Sequence, residues 1–457
     1  MKVIIVGAGK IGKAIIISML KEKHDVTVID SNKTVIENVT DTFDVIGMCG
    51  DGASFDILKD AGAAEADLFI AVTSLDELNM LSCFIAKKMG AAHTVARTRD
   101  YEFNSKGFEY IKDQLELSLT INPELLTAQT VFNIIKLPSA TKVETFSNRL
   151  FEMAELILKS DSPLINVPLC ELRKKYPLDF LICAVLRGEE VFIPNGSFVF
   201  REGDKIGVIA SITESHKLLK MMNFLKRPIR DVIIVGGGKT AFYLSELLIS
   251  SKTPVRIIEK NRQKCEEMCA ILPSGATIIE GDGMSHELLT ENGVLTTDAF
   301  VSLTGKDEEN ILMSMYAADK GVGKVLTKIN RDELCDMAEK AGLETIITPK
   351  EIVADVLVRY ARSLQGAKGT KIENLYSLMN GKAEAAEFGV MSDFKYIGVP
   401  LKKLQFTPAT IIAGLIRDGK TIIPGGEDKI AAGDKVIVIT AGQSLYDLSD
   451  VIVRQQS

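Results

Sequence analysis

The chain has 457 residues, 46% of them hydrophobic, which is enough for several domains with sizeable cores. Its net charge of −7 and pI near 5.5, with no basic block or aromatic ladder, argue against nucleic acid or an anionic lipid surface as partner. The apolar residues come in short blocks divided by charges, and none approaches the roughly 20 in a row that span a bilayer, so a role at a membrane has to run through a partner.

The chain opens on a strand-like run, MKVIIVGAG, from which no signal peptide is expected. Strands are predicted at Val3–Val6, Val26–Ile29, Asp44–Ile46, Leu68–Val72 and Thr94–Arg97, with helices at Lys10–Lys23, Ser54–Ala61 and Asp76–Met89. Strands buried on both faces that alternate with helices indicate an α/β, doubly wound parallel sheet. Beyond Leu137-Pro138, short strands such as Ala184–Arg187 and Ile206–Ile209 surround one helix near Leu169–Tyr176, a compact α+β unit.

The second half repeats the first. KVIIVGAGKIGKA recurs as DVIIVGGGKTAFY from Asp231, and DVTVID, ending in Asp30, recurs as PVRIIE, ending in Glu259. Gly50-Asp51-Gly52 recurs as Gly281-Asp282-Gly283, and Thr73-x-x-Asp76-Glu77-x-Asn79 as Thr304-x-x-Asp307-Glu308-x-Asn310. Asn122-Pro123 corresponds to Thr348-Pro349, INVPL at Ile165 to IGVPL at Ile397, Arg187 to Arg417, and Gly203-Asp204 to Gly433-Asp434. The expected organisation is two tandem Rossmann-like domains, each followed by a small α+β domain, at residues 1–138, 139–226, 229–367 and 370–457. The junctions fall near Leu137-Pro138, Lys226-Arg227-Pro228 and Gly366 to Gly369, where Pro, Gly and charges cluster.

Gly7-x-Gly9-x-x-Gly12 lies between the first strand and the first helix, where a dinucleotide fingerprint belongs. Gly7 permits the tight turn, Gly9 lets backbone approach a pyrophosphate, and Gly12 lets helix and strand pack closely. The helix N-terminus then offers N–H groups to phosphate. Asp30, about 20 residues on, suits both ribose hydroxyls and repels a 2′-phosphate, which favours NAD(H) or an adenine nucleotide over NADP(H). Asp51, Thr73 and Arg97 follow the third, fourth and fifth strands, at the ends where ligands bind in open α/β sheets. Thr73 suits ribose or phosphate, and Arg97 suits phosphate, with a surface salt bridge as the alternative. Asp76, Glu77 and Asn79 have a shared structural or ligand role that the residues alone leave open. Gly7 through Lys13 also spells most of a Walker A motif, but Ala14 stands where a Mg²⁺-binding hydroxyl is needed. The second copy keeps Gly236 and Gly238, has Ala241 at the third place, replaces Asp30 by Glu259 and Arg97 by Lys328, and either binds a different nucleotide or is vestigial.

Seven thinly spread cysteines fit a reducing cytosol better than a disulfide framework. Cys265 and Cys269 share a helix face without a histidine pair or second CxxC, so no metal is assigned. A dehydrogenase needs an acid or base beside the nicotinamide. His24 and His93 precede strands at the opposite edge and read as surface groups, and neither His216 nor His286 recurs between copies. The chain reads as a ligand sensor and not an enzyme, with an NAD-dependent oxidoreductase as the alternative.

GAGKIG, Asp30, the GDG turn, AVTSLDELN, ART and the INPE helix, followed by an INVPL-type domain, resemble the RCK (KTN) regulatory domains of potassium channels and transporters. Two complete copies on one chain resemble the TrkA-like family of regulatory subunits of Trk-type potassium uptake systems. That resemblance implies a cytoplasmic homotetrameric ring, peripheral at the inner face of the membrane. It implies a TrkH/TrkG-like integral-membrane potassium-translocating partner, and NAD(H) and ATP or ADP as ligands that gate ion flow. It places Gly7, Ala8, Gly9, Lys10, Ile11, Gly12, Asp30, Asp51, Thr73, Ser74 and Arg97 at a first site. Gly236, Gly238, Glu259, Asp282, Thr304 and Lys328 fall at a second. Regulation of a different cation channel or transporter stays open.

Overall fold

The structure, a computed structural model, describes the chain except residues 101–105, 148–149, 177, 223, 225–227, 366–368 and 456–457. Parts of the expected junctions at Lys226-Arg227 and Gly366 to Gly369, and the His216 side chain, thus lie outside the described residues.

The first copy runs β1 (Lys2–Val6), α1 (Lys10–Lys21), β2 (Asp25–Asp30), α2 (Lys33–Thr42), β3 (Ile46–Cys49), α3 (Phe55–Asp60), β4 (Leu68–Ala71), α4 (Asp76–Met89), β5 (His93–Arg97), α5 (Lys106–Gln114), β6 (Leu119–Ile121) and α6 (Pro123–Lys136). Its sheet has the order β3-β2-β1-β4-β5-β6, with every neighbouring pair parallel. This is a doubly wound sheet whose order reverses beside β1, the place where such sheets bind ligands. Its central strands are apolar runs because helices cover both faces, and Val3, Ile5, Phe69 and Ile70 are fully buried.

The edge of this sheet departs from the expectation. The third strand is Ile46–Cys49 and not Asp44–Ile46, and α2 was not anticipated. Both belong to the sheet's half-exposed edge, where β3 has no fully buried residue and α2 buries only Ile36 and Val39. His24, expected at the surface, is buried, and His93 is the first residue of β5.

The first small domain has β7 (Lys142–Phe146), β8 (Phe151–Ile157), α7 (Leu169–Lys175), β9 (Phe180–Arg187), β10 (Glu190–Phe192), β11 (Lys205–Ser211) and α8 (Ile212–Met221). Its antiparallel sheet has the order β10-β9-β11-β8-β7, and α8 is a second helix beyond the one expected.

The second Rossmann copy runs β12 (Val232–Val235), α9 (Lys239–Ser250), β13 (Val255–Glu259), α10 (Arg262–Ile271), β14 (Ala276–Glu280), α11 (His286–Glu291), β15 (Ala299–Ser302), α12 (Asp307–Asp319), β16 (Lys324–Lys328), α13 (Asp332–Lys340), β17 (Ile346–Ile347) and α14 (Pro349–Leu364). Its order, β14-β13-β12-β15-β16-β17, repeats that of the first copy strand for strand. The last domain has β18 (Thr370–Leu378), β19 (Ala383–Val390), β20 (Leu404–Phe406), β21 (Thr410–Arg417), β22 (Lys420–Ile422), β23 (Lys435–Ala441) and β24 (Ile452–Gln455). The order β18-β19-β23-β21-β22 mirrors the first small sheet, but a single 3-10 turn at Leu401–Lys403 stands where α7 would be.

The chain folds into two compact units: Met1–Phe132 with Arg230–Val358, and Asn133–Ile229 with Arg359–Ser457. In the second unit, the repeated Arg and Asp form a repeated latch. Arg187 donates to Asp204 at 2.8 and 2.7 Å, and Arg417 to Asp434 at 2.8 and 2.6 Å. Both aspartates are buried, and each also accepts a backbone N–H, of Arg201 or Ala431. Glu155 and Glu387, matched and buried, reach across between the small domains. Glu155 accepts the N–H of Met379 at 2.8 Å, and Glu387 that of Ser147 at 3.2 Å. Ser147 and Met379 both have positive φ, so each carboxylate holds the other domain's tight turn.

Candidate functional site

Gly7 has φ +97°, and a side chain on it would press on the backbone of Val72 and Thr73. A Cβ on Gly12 would lie 1.9 Å from the Gly7 carbonyl oxygen, so α1 packs on its loop only because residue 12 has none. Gly9 faces open space, as close approach of a pyrophosphate requires. Gly9 is the N-cap of α1 and has no side chain to cap it, whereas Asn32 caps α2 through the N–H groups of Thr34 and Val35. The first turn of α1 therefore keeps its N–H groups for a ligand.

Asp30 braces this loop. One carboxylate oxygen accepts the N–H of Ala8 at 2.8 Å and the other that of Asn32 at 2.9 Å. Each retains a lone pair for ribose. Glu259 repeats the arrangement, accepting from Gly237 at 2.6 Å and Asn261 at 2.7 Å.

The Thr-Asp-Asn motif fixes the ends of β4 and β5. Asn79, fully buried, accepts the N–H and hydroxyl of Thr73 at 2.8 and 2.7 Å and donates to the Arg97 carbonyl at 3.0 Å. Asp76 accepts the N–H groups of Arg99 and Asp100 at 2.7 and 2.9 Å. Asn310 makes the same bonds to Thr304 and Lys328. These residues have a bracing role in both copies, while Glu77 is exposed.

Arg97 ends β5 with its guanidinium mostly buried. It donates to the Thr73 carbonyl at 3.4 Å and lies 3.5 Å from Glu124. Burial pushes its pKa below the usual value, with Glu124 opposing that shift. Among the described residues its Nε has no hydrogen-bond partner, and neither does Oε2 of Glu124. Buried polar atoms left in this state mark a place for a ligand or water.

These elements enclose a cavity of about 900 Å³, large enough for a nucleotide. Of the expected first-site residues, Gly7, Gly9, Lys10, Ile11, Asp30, Asp51, Thr73, Ser74 and Arg97 line it. Ala8 is buried behind it and Gly12 packs the helix. The sequence reading missed Leu75, Leu78, Glu124 and Thr127 of the same copy. It also missed the contribution of the second copy, which supplies Thr240, Lys328, Asn330, Pro349 and Lys350. Lys328, expected at the second site, thus stands in the wall of the first. Its ammonium donates to the Leu303 carbonyl at 2.9 Å, and burial lowers its pKa, with Asp307 and Glu124 opposing. The signal for Lys350 was present in the matched Asn122-Pro123 and Thr348-Pro349 helix starts.

Of the expected second-site residues, Glu259 and Thr304 repeat the bonding of Asp30 and Thr73, and Gly236 repeats the positive φ of Gly7. In the second copy Lys260 crosses to Asp282 at 2.7 Å, whereas Ser31 and Asp51 of the first copy face the cavity. Ala241, buried in α9, carries the Cβ that Gly12 lacks at the matched place in α1.

Residues 3–112 and 232–349 match the TrkA-N domain, and residues 153–223 and 385–452 match the TrkA-C domain. The chain belongs to the TrkA family. It is 28% identical to the Trk system potassium uptake protein TrkA of Azorhizobium caulinodans, over 99% of this chain and 97% of that one. It is also 28% identical to a TrkA homolog of Archaeoglobus fulgidus, over 99% of this chain and all of that one. Among solved structures, the GsuK RCK domain superposes with a TM-score of 0.64 at 15% identity, over 96% of this chain and 92% of that chain. The GsuK channel bound to NAD superposes with a TM-score of 0.64 at 14% identity, over 96% and 77%. These likenesses show the fold. No helix among the described residues is long and apolar enough to cross a membrane.

Proposed function

We propose that this chain is a nucleotide-sensing regulatory subunit of a potassium uptake system, and that the cavity shared by the two Rossmann copies is its sensing site. The observation that carries the reading is the lining of that cavity. A glycine loop, an uncapped helix start and Asp30 stand on one side, with Arg97, Lys328 and Lys350 available to phosphates. The ligand is NAD(H) or an adenine nucleotide such as ATP or ADP. The names of the family relatives and the NAD bound to the GsuK channel support this assignment.

The same reading makes the chain a homotetrameric ring at the cytoplasmic face of the membrane, beneath a TrkH/TrkG-like potassium-translocating subunit. The four segments 1–138, 139–226, 229–367 and 370–457 are its working domains. A ligand can move such a ring only by binding one arrangement of its domains better than another. A nucleotide touching both copies at once supplies that difference. In this reading, Asp30 orients the ribose and the glycine loop, Arg97 and Lys328 hold the phosphates, and no bond is made or broken.

Calorimetric titration of the full chain with NADH, NAD⁺, ATP and ADP tests the reading. Binding without turnover is expected, lost in Asp30→Ala. Absence of binding by all four ligands, or steady consumption of NADH, overturns it.

A further inference from the structure

We propose that Tyr243 of the second Rossmann copy is a positioning residue for the first copy's cavity, an inference that rests on the nucleotide-sensing reading above. Tyr243 lies in the second turn of α9, the helix that starts at the second glycine loop, and it is buried. Its hydroxyl accepts from the Asn122 amide at 3.1 Å and donates to the Arg99 carbonyl at 3.4 Å.

Both partners hold cavity-wall groups. Asn122 accepts the N–H of Leu125 at 2.9 Å and so caps α6, whose first turns present Glu124 and Thr127 to the cavity. Arg99 donates through Nε to Glu124 at 2.8 Å, and Glu124 in turn neighbours Arg97. One phenol thereby ties α9 to the helix start and the loop that set the Arg97–Glu124–Arg99 cluster. Lys239, at the first position of α9, adds a 3.1 Å ion pair to Asp100 on the same loop.

The tie runs one way. Ala14 occupies the matched place on α1, and it has no polar atom to reach Thr348, the counterpart of Asn122. The second copy therefore grips the first copy's wall with a group that the first copy does not return. Its glycine-loop helix is built to set the geometry of the neighbouring cavity, and a shift of α9 is transmitted to Arg97 and Glu124.

The test is ADP affinity, by calorimetry, for the full-length wild type, Tyr243→Phe, Asn122→Ser and the double variant, with the apo thermal midpoint of each. Phenylalanine keeps the packing, and serine keeps a helix cap but cannot reach the phenol. Each single substitution should weaken ADP binding roughly threefold to tenfold, the scale of one hydrogen bond. The double variant should be no weaker than the worse single one, because both remove the same link. Unchanged affinity overturns the proposal whatever the midpoint does, a lowered midpoint then marking a merely structural residue, and additive losses overturn it too. A wild type that does not bind ADP, NADH or ATP overturns the function reading itself, and this inference with it.

Discussion

Glu124 and Lys350 occupy the same place in the two copies, the second residue of α6 and of α14, and they face one cavity with opposite charge. Glu124 is held by Arg99 and Arg97, and Lys350 by Asp332 at 2.7 Å. A duplication that began with matched halves has given the cavity an acidic corner from one copy and a basic corner from the other. Lys350→Glu restores the match and places two carboxylates beside the ligand's phosphates. ADP and ATP affinity should fall by roughly tenfold or more, with ATP losing more because it carries the greater charge. Titration of the variant with both nucleotides checks this.

The lowered pKa of Lys328 makes binding pH-dependent with a definite sign. Desolvation favours the neutral amine in the free protein, and a bound phosphate favours the ammonium. Between the lowered free value and the higher bound value, binding takes up a proton, and affinity falls as pH rises through that window. Calorimetry in buffers of different ionisation enthalpy should show proton uptake in the wild type. Lys328→Gln should lose it.

Gly12 and Ala241 predict opposite responses to one methyl group. Gly12→Ala forces α1 away from the Gly7 carbonyl, so nucleotide affinity should drop and the first turn of the helix should lose protection in hydrogen exchange. Ala241→Gly relieves no clash and should cost only about 1 kcal/mol of helix propensity, with affinity at the first cavity retained.

The repeated latch predicts matched losses in the small domains. Asp204→Ala strips the N–H of Arg201 of its carboxylate acceptor and leaves Arg187 only the Val199 carbonyl, and Asp434→Ala does the same to Ala431 and to Arg417, which keeps the Lys429 carbonyl. Each should cost about 2 kcal/mol, less than a fully buried pair because both guanidiniums are partly exposed. Scanning calorimetry should show both as comparable shifts of the same unit's transition.

The central strands of both Rossmann sheets were legible because a strand covered on both faces needs a continuous apolar run. The edge was not. β3 is half-exposed, and α2 buries two residues of ten, so neither offers the continuous apolar content that marks the central strands and α1. The first-copy half of the site was legible for a related reason: a tight turn, a close backbone approach and a helix packed on its loop each demand glycine at a fixed spacing. Asp76 and Asn79 stood out through their repetition, but their bonds to Arg99, Asp100 and the Arg97 carbonyl join segments some 20 residues apart. Only the folded chain shows those. The wall of Thr240, Lys328 and Lys350 depends on how two copies meet, and no local spacing records that.

In the proposed function, one nucleotide touches both copies at the first cavity. Its most direct test is calorimetric titration of ADP into the wild type, Arg97→Ala and Lys328→Gln. One binding event weakened by both substitutions, each by roughly tenfold or more, is the predicted result. Binding weakened by Arg97→Ala but untouched by Lys328→Gln would confine the ligand to one copy and overturn a site shared by the two.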